Sequence, residues 1–211
     1  MRTEISHPVF ARVYPRIERF AQIHGAAAHR EELLEGVTGR VLEIGAGTGA
    51  NFRFYPPTIT HLVAIEPEPR LRAQATETAR ATPFPVDVLA GRAEEMPVPD
   101  GAFDAVIVSL VLCSVSDVDR VVAEIRRVLR PGGKVRYYEH VRSPRARFAR
   151  FQRALDTVWP LLGGGCHLTR DPESAFIRGG LRIDEARHFD FTINGRLSPS
   201  SPCVIGRASK G

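Results

Sequence analysis

Gly45-Ala46-Gly47-Thr48-Gly49-Ala50 is the stretch of this chain best suited to hold a ligand. Glycines let the backbone turn tightly and let a ligand approach main-chain amides at the start of a helix. The run fits two templates. It is G-x-G-x-G, and with Ala50 in the third small position it is also G-x-G-x-x-A, the form that cradles a dinucleotide. Glu66 follows about twenty residues later, where a carboxylate can hold the hydroxyls of a ribose in either kind of nucleotide. Glu43 stands just before the glycines, and a carboxylate there suits a cationic amino group and repels a pyrophosphate. The bland alternative is a tight strand-to-helix turn with no ligand.

The elements that must position these residues alternate along the chain. Residues 8–36 read as helical, with Phe10, Val13, Ile17 and Phe20 forming one apolar stripe that should face a core. Short apolar runs at 40–44, 61–66, 86–90, 103–110 and 134–141 read as buried strands, and two later segments, 182–193 and 202–208, as strands too. Helices fit between them at 68–80, at 116–130 and at 144–162, the last carrying Phe148, Phe151, Leu155 and Val158. Ser116-x-x-Asp119 resembles a capping box, while Asp117 suits a helix start. Asp171-Pro172 starts one more helix, which Gly179-Gly180 closes. Such alternation predicts an α/β fold, a doubly wound, mostly parallel sheet of seven strands with an N-terminal helical cap. Ligands then bind beyond the carboxyl ends of the strands. The stretches 45–51, 66–67, 91–94, 109–116 and 139–142 all fall there.

Composition excludes several classes. With 211 residues, 43% hydrophobic and 25% charged, the chain is neither a disordered tail nor a disulfide scaffold. No apolar run reaches the ~18 residues of a membrane helix, and Met1–Phe10 has no signal-peptide core, so a cytoplasmic protein is expected. A net charge of +5 suggests nucleic acid, but all except Lys134 and Lys210 of the 29 basic residues are arginines. With much Ala, Gly and Pro, that skew reflects coding bias rather than a phosphate-binding surface, and no nucleic-acid partner is expected. Arg142, Arg145, Arg147, Arg150 and Arg153, interleaved with Phe148 and Phe151, read first as a helix with an apolar inner face and a solvated outer face; the sharper reading is attraction for a membrane surface, in weak contact, or for an anionic acceptor. Cys113, Cys166 and Cys203 form no CxxC pair; with His167 they show no metal-ligand spacing, so reduced thiols and no metal are expected.

The segments VLEIGAGTGANFRFYPP, AIEPEP, GRAEEMPVPDGAFD, SLVLCSV, RVLRPGG and YYEHV together resemble the class I S-adenosylmethionine-dependent methyltransferases, over residues 8 to 208. Within them, GANFRFYPP, LVLCSV, EHV and GCHLTRD look most like the small alkyl-thiol methyltransferases, and less like the quinone methyltransferases. The resemblance implies a Rossmann-like domain over 1–211, with a cap at 1–36, a cofactor-binding half at 40–141 and an acceptor half at 142–211. It implies S-adenosyl-L-methionine as cofactor, S-adenosyl-L-homocysteine as product and a small molecule as acceptor. By the same resemblance Glu43, Gly45, Ala46 and Gly47 line the methionine end, with Glu43 near the amino group. Gly49 and Asn51 open the first helix, and Glu66 holds the ribose, with Pro67 beside the adenine. Arg92 replaces a usual Asp and cannot accept a hydrogen bond, which leaves the adenine to the Ala93 amide, to Glu94 or to stacking on Arg92. Ser109 and Leu110 reach the methionine carbons, and Tyr14 resembles the aromatic that closes over the sulfonium.

Methyl transfer from a sulfonium needs alignment and water exclusion more than acid–base machinery. A thiol, with a pKa of about 8.5, supplies some thiolate unaided. The favoured acceptor is therefore a hydrophobic thiol, with His140 after the fifth strand and His167 in a glycine-rich loop as candidate bases or orienters. Carbon, oxygen or nitrogen methylation of an aromatic natural product or quinone is the alternative, and an NAD(P)-dependent reductase the rival from another class.

Overall fold

Strands buried on both faces read as unbroken apolar runs, as at the centre of the one seven-stranded sheet in the computed structural model, which describes residues 8–211. Residues 1–7 of the expected cap lie outside the described residues. The strands are β1 (Gly39–Ile44), β2 (Ile59–Ile65), β3 (Val86–Leu89), β4 (Phe103–Ser109), β5 (Leu129–His140), β6 (Leu181–Asp190) and β7 (Pro202–Lys210). Their order is β3-β2-β1-β4-β5-β7-β6. β1 to β5 pair in parallel, and β7 runs antiparallel to both β5 and β6. Ile44 pairs with Ile65 and Val108, and Ile65 with Leu89, so the loops that follow these strands emerge side by side.

Successive side chains along each strand go to opposite faces. One face carries Leu42, Ile44, Val106 and Val108 against α4 (Val118–Val128) and Phe176 of α7 (Pro172–Arg178); the other carries Val41, Ala105 and Ile107 against Leu33, Leu34 and Phe52. Asp117 caps α4 by accepting from the Arg120 amide, one register place from the expected box, because the Ser116 hydroxyl donates to Glu94 instead. Asp171 caps α7 as expected, accepting from the Ser174 amide.

Two amphipathic segments face the opposite way from expectation. The expected N-terminal helix is α1 (Pro8–Ala21) and α2 (Ala27–Leu34), separated by a kink where Gly25 has φ 110°. α1 buries Ala11 and Glu18, while Val13, Ile17 and Phe20 lie exposed, Ile17 at 54%. The expected helix over 144–162 is likewise broken into α5 (Ala146–Leu155) and α6 (Trp159–Leu162), with Pro160 starting the second piece. α5 buries Gln152, whose amide donates to the Val141 and Pro199 carbonyls, and leaves Phe151 half-exposed; Leu161 on α6 is 84% exposed. No helix among the described residues is long and apolar enough to cross a membrane.

Candidate functional site

At the carboxyl ends of β1 to β4 the fold encloses a cavity of about 460 Å³. Gly45 and Gly47 follow β1, Glu66, Pro67 and Glu68 follow β2, Gly91 to Glu94 follow β3, and Leu110, Val111, Ser114, Val115 and Ser116 follow β4; all reach the wall. Phe10 and Tyr14 of α1 cover it from one side, and Pro160, Gly164, Gly165 and His167 from another. These covers touch each other: a Cβ on Gly164 would stand 2.4 Å from the Phe10 ring.

The glycine loop does not run into an α-helix as expected. Turns carry it through residues 47–51 to one short 3-10 turn at Phe52–Phe54, before Pro56-Pro57 redirect the chain. Gly45, Gly47 and Gly49 all take positive φ, 65°, 57° and 78°. A Cβ on Gly45 would meet the Val111 side chain at 2.6 Å, and one on Gly47 the Tyr14 ring at 3.3 Å. Only glycine has both the conformation and the room here. The loop is held by Glu66, whose oxygens accept from the Gly47 amide at 2.8 Å and the Glu68 amide at 2.9 Å.

Some residues expected at the ligand lie behind this wall. Glu43 is buried, accepting from the Asn51 amide at 2.9 Å and the Tyr55 hydroxyl at 2.8 Å, so both its oxygens are engaged. Arg30 of α2 donates to Asn51 and reaches Glu18 of α1 at 3.4 Å, and the Thr48 hydroxyl donates to Glu18 at 2.6 Å. A buried polar network therefore ties both cap helices to the glycine loop. Glu18 and Arg30 were not signalled by any motif; both sit in a segment whose apolar stripe drew attention to the other face. Ala46 is buried with its amide on the Ile65 carbonyl, and Gly49 bonds back to Ala46. Ser109 lies at the end of β4, off the cavity wall, with a buried hydroxyl that has no partner among the described residues. Leu110 beyond it reaches the wall at φ 60°, a conformation uncommon outside glycine.

The two candidate bases separate. His140 is absent from the cavity wall; its Nδ1 faces Cys166 Sγ at 3.6 Å and Cys113 Sγ at 3.9 Å, so its expected place against an acceptor is not where the fold puts it. Neither Cys203 nor His167 joins that group. His167 does reach the wall, with its Nδ1 3.2 Å from Asp156 Oδ2. Burial works against the Asp156 carboxylate, but the Leu168 amide, the Thr169 hydroxyl and His167 hold it below the usual range. Arg92 lies beside Glu94 and Ser116, both 3.4 Å away, and its buried Nε has no partner among the described residues.

Three buried carboxylates carry unusual charge states. Burial pushes Glu43, Glu66 and Glu139 up to about 7, against the hydrogen bonds each accepts. A group raised on folding contributes stability that is complete below its ordinary value and is lost as pH rises through the folded value. The ligand-free chain is accordingly expected to melt at a higher temperature near pH 5.5 than near pH 8. His140, raised against the effect of burial by its contact with Cys113, acts in the same sense as the three carboxylates, and His29, lowered by burial, acts against them. Calorimetric melting across that range checks this; a midpoint that climbs from pH 5.5 to 8 contradicts it.

Residues 42–137 match the family model described as methyltransferase domain. The chain is 38% identical over 160 residues to the human thiol S-methyltransferase TMT1B, spanning 73% of this chain and 62% of that one, less than two thirds of its length. It is 36% identical over 181 residues to the human thiol S-methyltransferase TMT1A, spanning 83% of this chain and 73% of that one. Its fold is similar to the N-methyltransferase NodS from Bradyrhizobium japonicum in complex with S-adenosyl-L-homocysteine, with a TM-score of 0.66 at 18% identity, over 90% of this chain and 87% of that one.

Proposed function

We propose that this chain, which belongs to the S-adenosylmethionine-dependent methyltransferase family that includes the thiol S-methyltransferases, methylates the sulfur of a small hydrophobic thiol. The observation that carries the reading is the cavity at the carboxyl ends of β1 to β4. On its β3–β2 side it offers a carboxylate and glycine backbone, and on its β4 side an apolar wall of Leu110, Val111 and Val115 under Phe10, Tyr14 and Pro160.

The residues present fit the cofactor. The volume lies within the ordinary range of about 300–1,000 Å³ for small-ligand sites, and a side chain at Gly47 would intrude on the space beneath Tyr14. In this reading Glu66 accepts from both ribose hydroxyls, Pro67 and Ala93 flank the adenine, and the free Arg92 Nε or the Ala93 amide meets the base. Glu43 acts on the methionine end through Asn51 and the shape of the loop, since it lies behind the cavity wall whereas Glu66 reaches it. When bound, S-adenosylmethionine supplies a methyl group on a sulfonium, open to in-line displacement with a neutral leaving group.

What the chain adds is alignment and exclusion of water. Tyr14, its hydroxyl held well above its usual pKa by burial and by Glu18, stays neutral throughout the working range and serves as a cover, not a base. His167, steadied by Asp156, is the imidazole within reach of an acceptor. An acceptor thiol needs little help in losing its proton, whereas a phenol, with a pKa of about 10, needs a firmer base than this wall presents. Three buried free cysteines agree with a reducing, cytoplasmic setting. The whole chain works as one unit in this reading, 40–141 holding the cofactor and 142–211 with the cap enclosing the acceptor.

Labelled cofactor offered with hydrophobic thiols, phenols, indoles and quinones of similar size tests the reading. Label should pass to thiols at least about tenfold faster; transfer to a phenol or quinone with none to thiols overturns it. Calorimetric titration should show S-adenosylhomocysteine binding and no NAD(P) binding. Replacing Tyr14 by alanine is expected to lower kcat about tenfold or more while changing S-adenosylhomocysteine affinity less than about threefold, because the cover is lost and the glycine loop is not. Equal losses in both would make Tyr14 part of the cofactor cradle instead.

Contact with a membrane surface is part of this reading, carried by outward apolar side chains, Val13, Ile17 and Phe20 on α1 and Leu161 and Leu162 on α6. Exposed Arg12, Arg16 and Arg19 on α1 and Arg147, Arg150 and Arg153 on α5 accompany them. The chain should sediment with anionic phospholipid vesicles at low salt and be released at high salt, and Leu161→Asp with Leu162→Asp should weaken the binding severalfold. Failure to bind at low salt removes this part of the reading.

A further inference from the structure

Cys113, His140 and Cys166 meet directly behind the cavity wall. Cys113 lies in the loop after β4, His140 ends β5, and Cys166 follows α6; they are 27 and 26 residues apart along the chain, which is why no spacing motif marks them. Both cysteines are free and buried, and the three donor atoms all lie within 4.8 Å of one another.

We propose that these three side chains bind a divalent metal ion of the zinc class, a site that does not depend on the identity of the methyl acceptor. The distances suit the ion. With zinc–sulfur bonds of about 2.3 Å and zinc–nitrogen bonds of about 2.0–2.1 Å at tetrahedral angles, nitrogen and sulfur stand roughly 3.6 Å apart. Here Nδ1 lies 3.6 Å from one sulfur and 3.9 Å from the other. The donors suit it too, since two thiolates and an imidazole are soft ligands that favour zinc over magnesium or calcium.

Charge favours the same occupant. Two thiolates and one dication sum to zero, so the filled cluster carries no net charge into the interior. Binding then replaces two thiol protons, which leave to solvent. Three protein donors leave one tetrahedral position for water or another small ligand, as in zinc sites that are not closed by the protein. Cys203 is excluded by geometry, its sulfur facing the Ser200 carbonyl at 3.8 Å. The ion would pin the loop after β4 to the turn after α6. Val111 and Ser114 on the first, and Gly165 and His167 on the second, line the cavity.

The test uses the full chain, reduced, stripped with a chelator and titrated with cobalt(II). One equivalent should produce near-ultraviolet thiolate-to-cobalt charge transfer and the visible bands of tetrahedral cobalt, and zinc(II) should abolish both. About two protons should be released per ion. Zinc should shield Cys113 and Cys166, but not Cys203, from alkylation read by mass spectrometry, a measurement that needs no variant. Cys203→Ser should keep the cobalt spectrum, while Cys113→Ser, Cys166→Ser and His140→Ala should each weaken cobalt binding at least about tenfold, in protein whose circular dichroism is unchanged. A reduced wild-type chain without the charge-transfer band overturns the proposal. So does a spectrum that survives Cys113→Ser, or a Cys113–Cys166 disulfide whose reduced form ignores both metals.

Discussion

Replacing Glu66 by alanine is expected to weaken S-adenosylhomocysteine binding roughly 30- to 150-fold, the equivalent of about 2–3 kcal/mol. Two losses combine. Hydrogen bonds to a charged acceptor contribute about 1.5 kcal/mol or more each, and a ribose diol offers two. Glu66 also holds the glycine loop through the Gly47 amide, so its removal loosens the backbone on which the methionine end rests. Glu66→Gln keeps the shape and one acceptor oxygen and should lose about tenfold. Because burial raises this carboxyl to about 7, wild-type affinity should itself fall as pH drops from about 8 to 6, with ligand binding favouring the carboxylate. Calorimetric titration measures all three. A folded Glu66→Ala protein that binds within about threefold of wild type takes Glu66 out of the site.

Gly47→Val should bind no measurable S-adenosylhomocysteine. A side chain at φ 57° costs about 1–2 kcal/mol for ordinary residues and more for a branched one. Its Cβ would stand 3.3 Å from the Tyr14 ring, so the branches must displace either that ring or the ligand beneath it. Gly101 separates the two causes. It has nearly the same φ, 59°, with nothing within 4 Å of a would-be Cβ. Gly101→Ala should therefore lower the melting temperature about as much as Gly47→Ala while leaving affinity unchanged. If Gly47→Ala and Gly101→Ala reduce affinity equally, the loss reports backbone strain, and Gly47 does not face the ligand.

Legibility in the sequence followed burial. The central strands were readable because they are covered on both faces, and RVLEI or FDAVIVS admits little else. Their alternation with helices was enough to locate the carboxyl ends of the strands, and Gly45, Gly47, Glu66, Pro67, Arg92, Ala93, Glu94, Leu110, Tyr14 and His167 all reach the cavity there. Amphipathic helices were less readable. Periodicity in α1 and α5 shows that an apolar face exists but not what covers it, and α1 turns Glu18 inward because Arg30 and Thr48 supply partners from distant segments. The same holds for Glu43, whose orientation is decided by Asn51 and Tyr55, and for His140, drawn to two cysteines by the pairing of β5 with β4 and β7 rather than by anything local. Through-space partners of this kind leave no period in a sequence.

The place of β7 between β5 and β6 bears on how the chain is made. Elongation at about 5–20 residues per second lets β1, β2, β3, β4 and β5 pair in turn as each emerges. β6 is then synthesised with no partner available, because its neighbour in the sheet comes after it, and the outer edge of β5 keeps its hydrogen-bonding groups free from Lys134 to His140. That interval leaves a strand edge with free hydrogen-bonding groups in the nascent chain, the kind of edge that invites pairing with other chains. The final step is insertion of one strand between two others, a non-local event that makes folding slow relative to the helical cap and places the risk of aggregation late in synthesis.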